Sequence, residues 1–516
     1  MSHETELKLS YTPEALARLK QSAEVRRLAR GSARPQRLLT IYYDTADGQL
    51  AAQKISVRVR QVGQRRILCV KAPGGSLAGL AFRREWETDI TGDVPDLAAF
   101  PPGTVDTVLN TAWLGPRLAP VFETDFNRIE REVPLSDGGM VRLAMDEGEI
   151  RAGDASMAIC EVELELAEGG PAALFELAQL LHRTEPAAIG MRTKAARGME
   201  LAHGLSPKPT SAVDLNVTAA DTAGAAFSHI ATACIGQWLG NLDAVLADKD
   251  PEGIHQMRVA LRRLRSAFRL FREVVTDPEA TMLSAEVRWL AAALGPARDW
   301  DVFTEEALGP VARGLGEEES LAPLAQAAAS SSAEAHREAV DAVASARHTD
   351  LVLALGRWLA GFAETEAAEA ATQPVAGFAA RSLDRAWKRV RKSGRHLSRL
   401  SSEELHALRI EIKRLRYAVE FFAALHDHRE VRGFLSGLKG MQDFLGHMND
   451  LDVARRLMDD LVAERRFSGR SYVRGDAGMA RAEGLVIGWH AAGLARDRRH
   501  LTELWARVLA QEPYWR

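Results

Sequence analysis

The sequence predicts a multidomain α+β protein, with a strand-built domain over residues 1–202, a linker over 203–218 and an all-α domain over 219–516. Three observations carry this. Short segments of period-two alternation, such as TELKLS, SVRVRQ, ILCVKA and CEVELEL, fill the first part and are separated by Gly- and Pro-containing turns, the pattern of β-strands. From about residue 219 the text changes to long Ala-, Leu- and Arg-rich stretches of helical period, among them IHQMRVALRRLRSAFRLF and LHALRIEIKRLRYAVEFF. Between the two lies HGLSPKPTSAVDLNVT, rich in turn formers and without a period, which marks a linker.

A chain of 516 residues exceeds what one ordinary core organises. With 46% hydrophobic and 26% charged residues it has the balance of a globular protein rather than a disordered one. The formal net charge of -4 gives no bulk attraction to nucleic acid, so any anion binding must come from local Lys and Arg clusters. Cys69, Cys160 and Cys234 lie far apart with no C-x-x-C pair, which argues against a zinc site or a disulfide framework and for a reducing compartment. The N-terminus MSHETELKLS is acidic where a signal peptide is basic, and no apolar run reaches membrane-spanning length; the expected location is the cytoplasm, with no membrane partner.

Alternate side chains on a strand share a face, so Glu4, Glu6 and Lys8 point one way while Thr5, Leu7 and Leu9 point the other. The same segregation recurs where Arg58 and Arg60 alternate with Val57 and Val59, where Glu85 and Glu87 flank Trp86, and where Glu161, Glu163 and Glu165 alternate with Val162, Leu164 and Leu166. One such strand is a sheet with a wet side. Summed over strands, carboxylates in i, i+2 pairs stand beside a cationic set of Arg58, Arg60, Lys71, Arg128 and Lys194, and that combination suits a metallated polyanion. Hard divalent cations take carboxylate, water and phosphate oxygens, and Arg and Lys take the phosphate oxygens that remain. If the strands close into a barrel, the charged face lines a polar lumen.

Glu4-x-Glu6-x-Lys8 resembles the E-x-E-x-K signature of the CYTH family of triphosphate tunnel metalloenzymes. VRVR at 57–60, VKAP at 70–73, REWE at 84–87, TDFNR at 124–128, CEVELEL at 160–166 and TKAARG at 193–198 follow in the family's order. The resemblance implies an eight-stranded antiparallel tunnel that hydrolyses or cyclises triphosphates with Mg²⁺, Mn²⁺ being the alternative. Carried over, Glu4, Glu6, Asp146, Glu161 and Glu163 resemble the metal ligands, and Glu4, Glu6, Lys8, Glu85 and Glu87 the catalytic set. Lys8, Arg58, Arg60, Lys71, Arg128 and Lys194 resemble the phosphate-gripping set, with Arg83, Arg84 and Arg131 outside both. Thr193 stands where the family often has serine, and the hydroxyl is kept.

The helical half repeats itself at an offset of 151 residues: His255, Arg258, Arg263, Leu264, Arg265, Ala267 and Phe271 recur as His406, Arg409, Arg414, Leu415, Arg416, Ala418 and Phe422. LGPARDWDVF at 294–303 is echoed by LGHMNDLDVA at 445–454. Two copies of one unit are expected to pack as a pseudo-twofold pair of bundles. His255, Arg258, Arg262, Arg265 and Arg269 step by three and four along one stripe, and His406, Arg409, Lys413 and Arg416 repeat it. Residues 254–272 hold no Asp or Glu to offset that charge. Upstream of the second copy, Arg385, Lys388 and Lys392 extend the basic surface. Such like charges repel unless an anion compensates. No aromatics are interleaved for base stacking, which favours phosphate without bases over nucleic acid.

These helices and their following LG-x-x-x-D-x-D-V segments resemble the CHAD family, duplicated four-helix bundles associated with inorganic polyphosphate. Asp299, Asp301, Asp450 and Asp452 are read as structural partners of Arg or backbone rather than metal ligands. Together the halves resemble bacterial CYTH–CHAD inorganic triphosphatases. The expected function is metal-dependent hydrolysis of inorganic triphosphate in the tunnel, with polyphosphate bound by the helices, either to concentrate related substrate or to locate the enzyme on polyphosphate granules. The rival readings are a hydrolase or cyclase of an organic triphosphate (thiamine triphosphate or ATP) and a non-catalytic polyphosphate-binding adaptor.

Overall fold

The computed structural model describes residues 2–28, 35–316, 318–364, 369–467, 473–497 and 500–516. The alternating segments become strands β1 (Ser2–Ser10), β2 (Gln36–Asp44), β3 (Ser56–Val62), β4 (Arg65–Leu77), β5 (Leu80–Ile90), β6 (Ala119–Pro134), β7 (Met140–Ala152), β8 (Ala155–Glu168) and the two-residue β9 (Ala188–Ile189). They pair in the order β5-β4-β3-β2-β6-β7-β8-β1-β9, and a further antiparallel pairing of β5 with β1 closes the first eight into a barrel. In that closing register Glu4 stands opposite Arg83, and on the other side of β1 Lys8 stands opposite Glu163.

Closure sorts the faces. Outside, Val57, Val59, Leu68, Val70 and Trp86 are buried under Leu97, Phe100, Val105, Leu109 and Leu114 of the segment between β5 and β6. On another flank Leu7, Leu9, Val162 and Leu164 are buried, with helices Pro13–Gln21 and α1 (Pro171–Thr184) packed on β8. Inside, the charged positions give way to an apolar seal of Leu38, Tyr42, Phe122, Phe126, Ile150 and Ile159, against which Ala195, Met199 and Leu201 of α2 (Lys194–His203) pack. Tyr42 and Phe122 stack with centroids 4.4 Å apart.

The chain forms two compact units. The first joins Met1–Thr210 to Leu239–Ala247 and Ala344–Thr365; the second comprises Ser211–Trp238, Asp248–Val343 and Glu366–Arg516. Two helical pieces from beyond residue 219 therefore belong with the barrel. In the first unit, α9 (Ala346–Glu364) lies along α1, and a Cβ on Gly356 would come within 2.3 Å of the fully buried Phe175 ring, so only glycine allows that approach.

The second unit is helical. It contains α3 (from Ala223–Gly240, of which the last residues fall in the first unit), α5 (Glu252–Leu270), α6 (Pro278–Ala293), α7 (Gly295–Val302), α8 (Glu318–Ala344), α10 (Val375–Ser393), α11 (Ser402–Phe421) and α12 (His428–Phe467); α4 (Leu242–Ala247) belongs to the first unit. Equivalent residues of the sequence repeat meet at its core: Phe271 contacts Phe422 at 5.9 Å between centroids, and Phe227 sits on Phe271 at 5.6 Å as Phe378 sits on Phe422 at 6.2 Å. The segments entering α3 and α10 exchange backbone hydrogen bonds, Ala223 N–H to Gln373 O at 2.9 Å and Val375 N–H to Asp221 O at 3.0 Å.

Gly198 of α2 is the tightest point of the barrel seal, since a Cβ there would lie 2.1 Å from the Phe122 ring. Gly198→Ala is expected to lower stability by about 1–3 kcal/mol through overpacking, outweighing the roughly 0.5–1 kcal/mol that alanine gains in a helix. Denaturant unfolding measures this, and a more stable variant would mean that the ring yields freely.

Candidate functional site

Each unit holds a cavity lined by charged side chains. The barrel lumen encloses about 740 Å³ and is lined by Glu4, Glu6, Lys8, Arg58, Arg60, Lys71, Glu85, Glu87, Arg128, Glu163 and Lys194, all of them expected from the sequence. Lys194 differs in origin. It comes not from a strand but from the first turn of α2, whose N-cap Thr193 accepts a hydrogen bond from the Ala196 N–H at 3.0 Å.

The charges interlock around the wall. The Lys71 ammonium donates to both Glu4 oxygens at 2.7 and 2.6 Å and lies 3.2 Å from Glu85, which also meets Arg58 at 3.4 Å. Lys8 bridges Glu6 at 3.1 Å and Glu163 at 2.5 Å. Arg128 grips Asp146 through two parallel bonds of 2.8 and 2.7 Å and also pairs with Glu163. Lys194 sits among three carboxylates, Asp146 at 2.7 Å, Glu163 at 2.9 Å and Glu161.

Position sets the proton affinity of each carboxyl. Burial would raise Glu163, yet Lys194, Lys8 and Arg128 outweigh it and hold the group well below the usual carboxylate range. Glu85 is likewise brought down to about 2, burial being overcome by Lys71 and Arg58. Glu6 goes the other way, raised by burial and by the nearby Glu163 charge. Arg60 has no carboxylate within ion-pair distance among the described residues; Arg58 beside it, its burial and Arg128 together lower its proton affinity, and its Nε has no hydrogen-bond partner. An enclosed guanidinium without a carboxylate partner is suited to receive an anion.

The five expected metal ligands fall into two groups. Asp146, Glu161 and Glu163 offer oxygens within 4.8 Å of one another, a donor set suited to a hard divalent ion; Glu163 lines the lumen, and Asp146 and Glu161, on the same inward faces of their strands, are buried against Lys194. Glu4 and Glu6 sit apart from them on β1, satisfied by Lys71, Lys8 and Arg83. A second cluster joins Glu85 and Glu87 to Cys69, whose thiol is pushed up to about 12 by burial and donates to Glu85 at 3.1 Å, so it acts there as a hydrogen-bond donor and not as a thiolate ligand. Five cations escaped the sequence reading, Lys54 and Arg142 of the lumen lining among them. Arg83 bonds Glu6 at 3.4 Å, Arg197 bonds Glu161 at 3.0 Å, and Arg192 lines the lumen. The alternation of β5 would have found Arg83, which shares a face with Glu85; Arg197 is one helical turn after Lys194. Arg84 and Arg131 lie outside the lumen.

The second cavity, about 850 Å³, opens between α5 and α11 and is lined by His255, Arg258, Arg262, Arg265 and Arg269 from one and His406, Arg409 and Lys413 from the other. Arg272, Arg288, Arg298 and Arg414 join them unannounced by the stripe. Counter-charges are sparse: Arg258 donates to the Ala291 carbonyl at 3.0 Å, Arg409 is 4.0 Å from Asp450, and Asp299 and Glu306 complete the acidic lining. Burial first, then Arg409 and Arg262, push the Lys413 ammonium down to about 7. Arg258 falls to about 10, mainly by burial, and His255 is lowered by burial and Arg298.

Four expected groove residues lie elsewhere. Arg416 turns aside to Glu420 at 2.6 Å, a partner one turn on where the first copy has Arg269. Arg385 faces a small side pocket that shares Arg269, Arg272 and Arg414 with the groove, and Lys388 and Lys392 are exposed outside both. Asp301 of the LG-x-x-x-D-x-D segment accepts from His336 of α8 at 2.9 Å, and Asp248 takes the other ring nitrogen at 2.7 Å. That partner is a histidine, not the arginine or backbone expected.

Comparison with known proteins finds a match for each half of the chain. The CYTH domain model matches residues 2–199 and the CHAD domain model residues 229–459. The CHAD domain of the plant Ricinus communis is 30% identical with a TM-score of 0.51, covering 59% of this chain and 98% of that one. The chain is a CYTH domain fused to a CHAD domain and belongs to both families. An inorganic triphosphatase of Haemophilus influenzae is 31% identical over 208 residues, 38% of this CYTH–CHAD chain and 54% of that protein, so the chain spans about half the length of that relative. No helix among the described residues is long and apolar enough to cross a membrane.

Within the CHAD domain, the two carboxylates raise the His336 pKa to about 9, hydrogen bonding to Asp301 being the chief cause and burial opposing it. A histidine raised above its unfolded value of about 6.5 adds stability that is full below about 6.5 and is lost as pH climbs through 9. The gap in thermal midpoint between the wild type and His336→Gln is therefore expected to be largest near pH 6 and to shrink by pH 10; a gap independent of pH would contradict the charged bridge.

Proposed function

We propose that this CYTH–CHAD protein hydrolyses inorganic triphosphate in its barrel lumen with a divalent cation, and binds inorganic polyphosphate in the groove of its helical domain. The observation that carries the first half is the lumen itself: cations able to hold a phosphate chain, including Arg60 with no carboxylate partner among the described residues, alternate with carboxylates able to hold a hard metal. The curated Haemophilus influenzae relative is an inorganic triphosphatase, which accords with this reading.

In the proposed reaction, Arg58, Arg60, Lys71 and Arg128 take the phosphate oxygens, and Lys8 and Lys194 neutralise charge that develops on the departing phosphate. Asp146, Glu161 and Glu163, and separately Glu4 and Glu6, would hold Mg²⁺ or Mn²⁺, which would supply further charge neutralisation for in-line attack by water on a terminal phosphorus. When substrate enters, the lumen cations exchange carboxylate partners for phosphate oxygens, which frees those carboxylates to accept metal or a proton. Glu85 and Glu87 complete the acidic wall facing Arg58 and Lys71.

The helical domain is read as two copies of one four-helix bundle about a pseudo-twofold axis, a reading supported by the Phe271–Phe422 contact. Its groove residues His255, Arg258, Arg262, Arg265, Arg269, His406, Arg409 and Lys413 would grip phosphoryl oxygens along a chain. On this reading the protein acts in the cytoplasm, where the groove serves either to concentrate related substrate or to hold the enzyme at polyphosphate granules.

Phosphate release is to be measured with Mg²⁺ on inorganic triphosphate, long polyphosphate, ATP and thiamine triphosphate, with Glu4→Gln/Glu6→Gln as control. Release is expected from inorganic triphosphate, falling by about 100-fold or more in the control. Release only from ATP or thiamine triphosphate would move the assignment to an organic substrate. No release, with polyphosphate still bound, would leave an adaptor.

Polyphosphate affinity should also depend on pH. A bound anion raises the lowered Lys413 pKa, so binding takes up a proton and weakens as pH rises from 6 to 9. Lys413→Arg is expected to remove most of that dependence, leaving any part due to His255 at the acid end; titration calorimetry in two buffers of different ionisation heat reads the proton uptake directly.

A further inference from the structure

The first compact unit contains two pieces of the chain's helical half, and one of them reaches the segment that carries Lys194. Asp243 of α4 pairs through Oδ2 with Arg192 Nε at 3.0 Å, and the same guanidinium pairs with Glu200 of α2. Arg192 lines the lumen, Thr193 follows as the N-cap of α2, and Lys194 comes next among Asp146, Glu161 and Glu163. Ahead of Arg192, the Gly190 N–H donates to the Lys8 carbonyl at 2.9 Å. The turn is thus tied to β1 before Arg192 and to α4 at Arg192 itself.

The neighbouring Asn241 fastens α4 in place. It is fully buried, its Nδ2 donates to the Thr210 carbonyl at 2.8 Å, and its Oδ1 accepts from the Thr210 N–H at 2.9 Å. On the other side, α9 packs along α1, and the buried His182 Nε2 lies 3.2 Å from the Ala346 carbonyl while Nδ1 accepts from Ala187 N–H at 3.0 Å, just before β9. The strand-turn segment 187–194 is therefore held by residues remote in sequence on both flanks.

We propose that Asp243 is a positioning residue for the lumen. It fixes Arg192, and through Arg192 the turn that presents Lys194 to the carboxylates, so that the triphosphate site takes its working form only with this part of the helical half folded against the barrel. The kinetic side of this inference rests on the triphosphatase reading; the structural side does not. Without Asp243, Arg192 keeps Glu200 but loses the partner that orients its Nε, and from its place on the lumen wall is free to turn and compete for the carboxylates that Lys194 serves.

The test uses the full-length protein and two readouts. Hydrogen exchange over residues 190–200 is expected to quicken about tenfold in Asp243→Asn, with β7 and β8 unchanged, and to return near wild type in Asp243→Glu. Unchanged exchange there, or a loss of protection spread evenly with a fall in thermal midpoint, overturns the proposal in favour of a merely stabilising pair. In phosphate release from inorganic triphosphate, Asp243→Asn and Arg192→Gln are each expected to lower kcat/KM by about tenfold, the double variant falling no further, and Asp243→Glu to restore most of it. Local quickening of exchange with no activity in the wild type would sink the triphosphatase reading while leaving the brace intact; full activity in Asp243→Asn would sink the positioning role.

Discussion

The antiparallel pairing of β1 with β5 is the constraint on which the first unit depends, because it turns the polar face of a sheet into an enclosed volume. On an open sheet Glu4, Lys8, Arg58, Glu85 and Glu163 would each be solvated and need no particular neighbour. Inside a barrel each loses water and must be matched, and an unmatched charge is costly. The ring of ion pairs from Lys71 and Glu4 round to Arg128, Asp146 and Lys194 follows from that demand. It also explains the divergence of the carboxyls, with Glu163 surrounded by cations and Glu6 set beside Glu163. Among the described residues the match is not complete at Arg60, and this residual positive charge favours an anion in the lumen.

The groove of the helical unit handles charge in the opposite way. Its cations are gathered with few carboxylates, and they bear the cost as lowered proton affinity at Lys413, Arg258 and His255. A site so poised gains by accepting an anion, since the ligand relieves repulsion already present in the fold. The two copies of the repeat do not contribute alike. Glu420 stands where Arg269 stands in the first copy and draws Arg416 out of the groove, while Glu411 takes Arg414 and Arg389. The groove is consequently more strongly cationic along α5 than along α11.

Between these sites the chain crosses between compact units more than once. The tunnel's Lys194 turn is held by Asp243, and α1 is covered by α9, both supplied by sequence that otherwise builds the helical unit. A boundary drawn where the composition changes, at 203–218, marks the change from strand to helix grammar. The first break between the compact units, after Thr210, falls inside it, while Leu239–Ala247 and Ala344–Thr365 from farther along the chain also join the first unit.

Period-two alternation determined the strands, because a strand with one buried face must segregate charge from grease; helical periodicity and the offset of 151 residues likewise determined the duplicated helices and most of the groove. The E-x-E-x-K signature and its successors marked the lumen residues. Tertiary structure alone decided the rest. Strand pairing decided that Asp146, Glu161 and Glu163 share one cluster while Glu4 and Glu6 do not, since proximity across a barrel depends on register rather than on spacing along the chain. Likewise, the partners of Arg192, Asp301 and Arg416 were set by which helix packs where, an outcome of burying apolar faces that a charged residue's own neighbours in sequence do not encode.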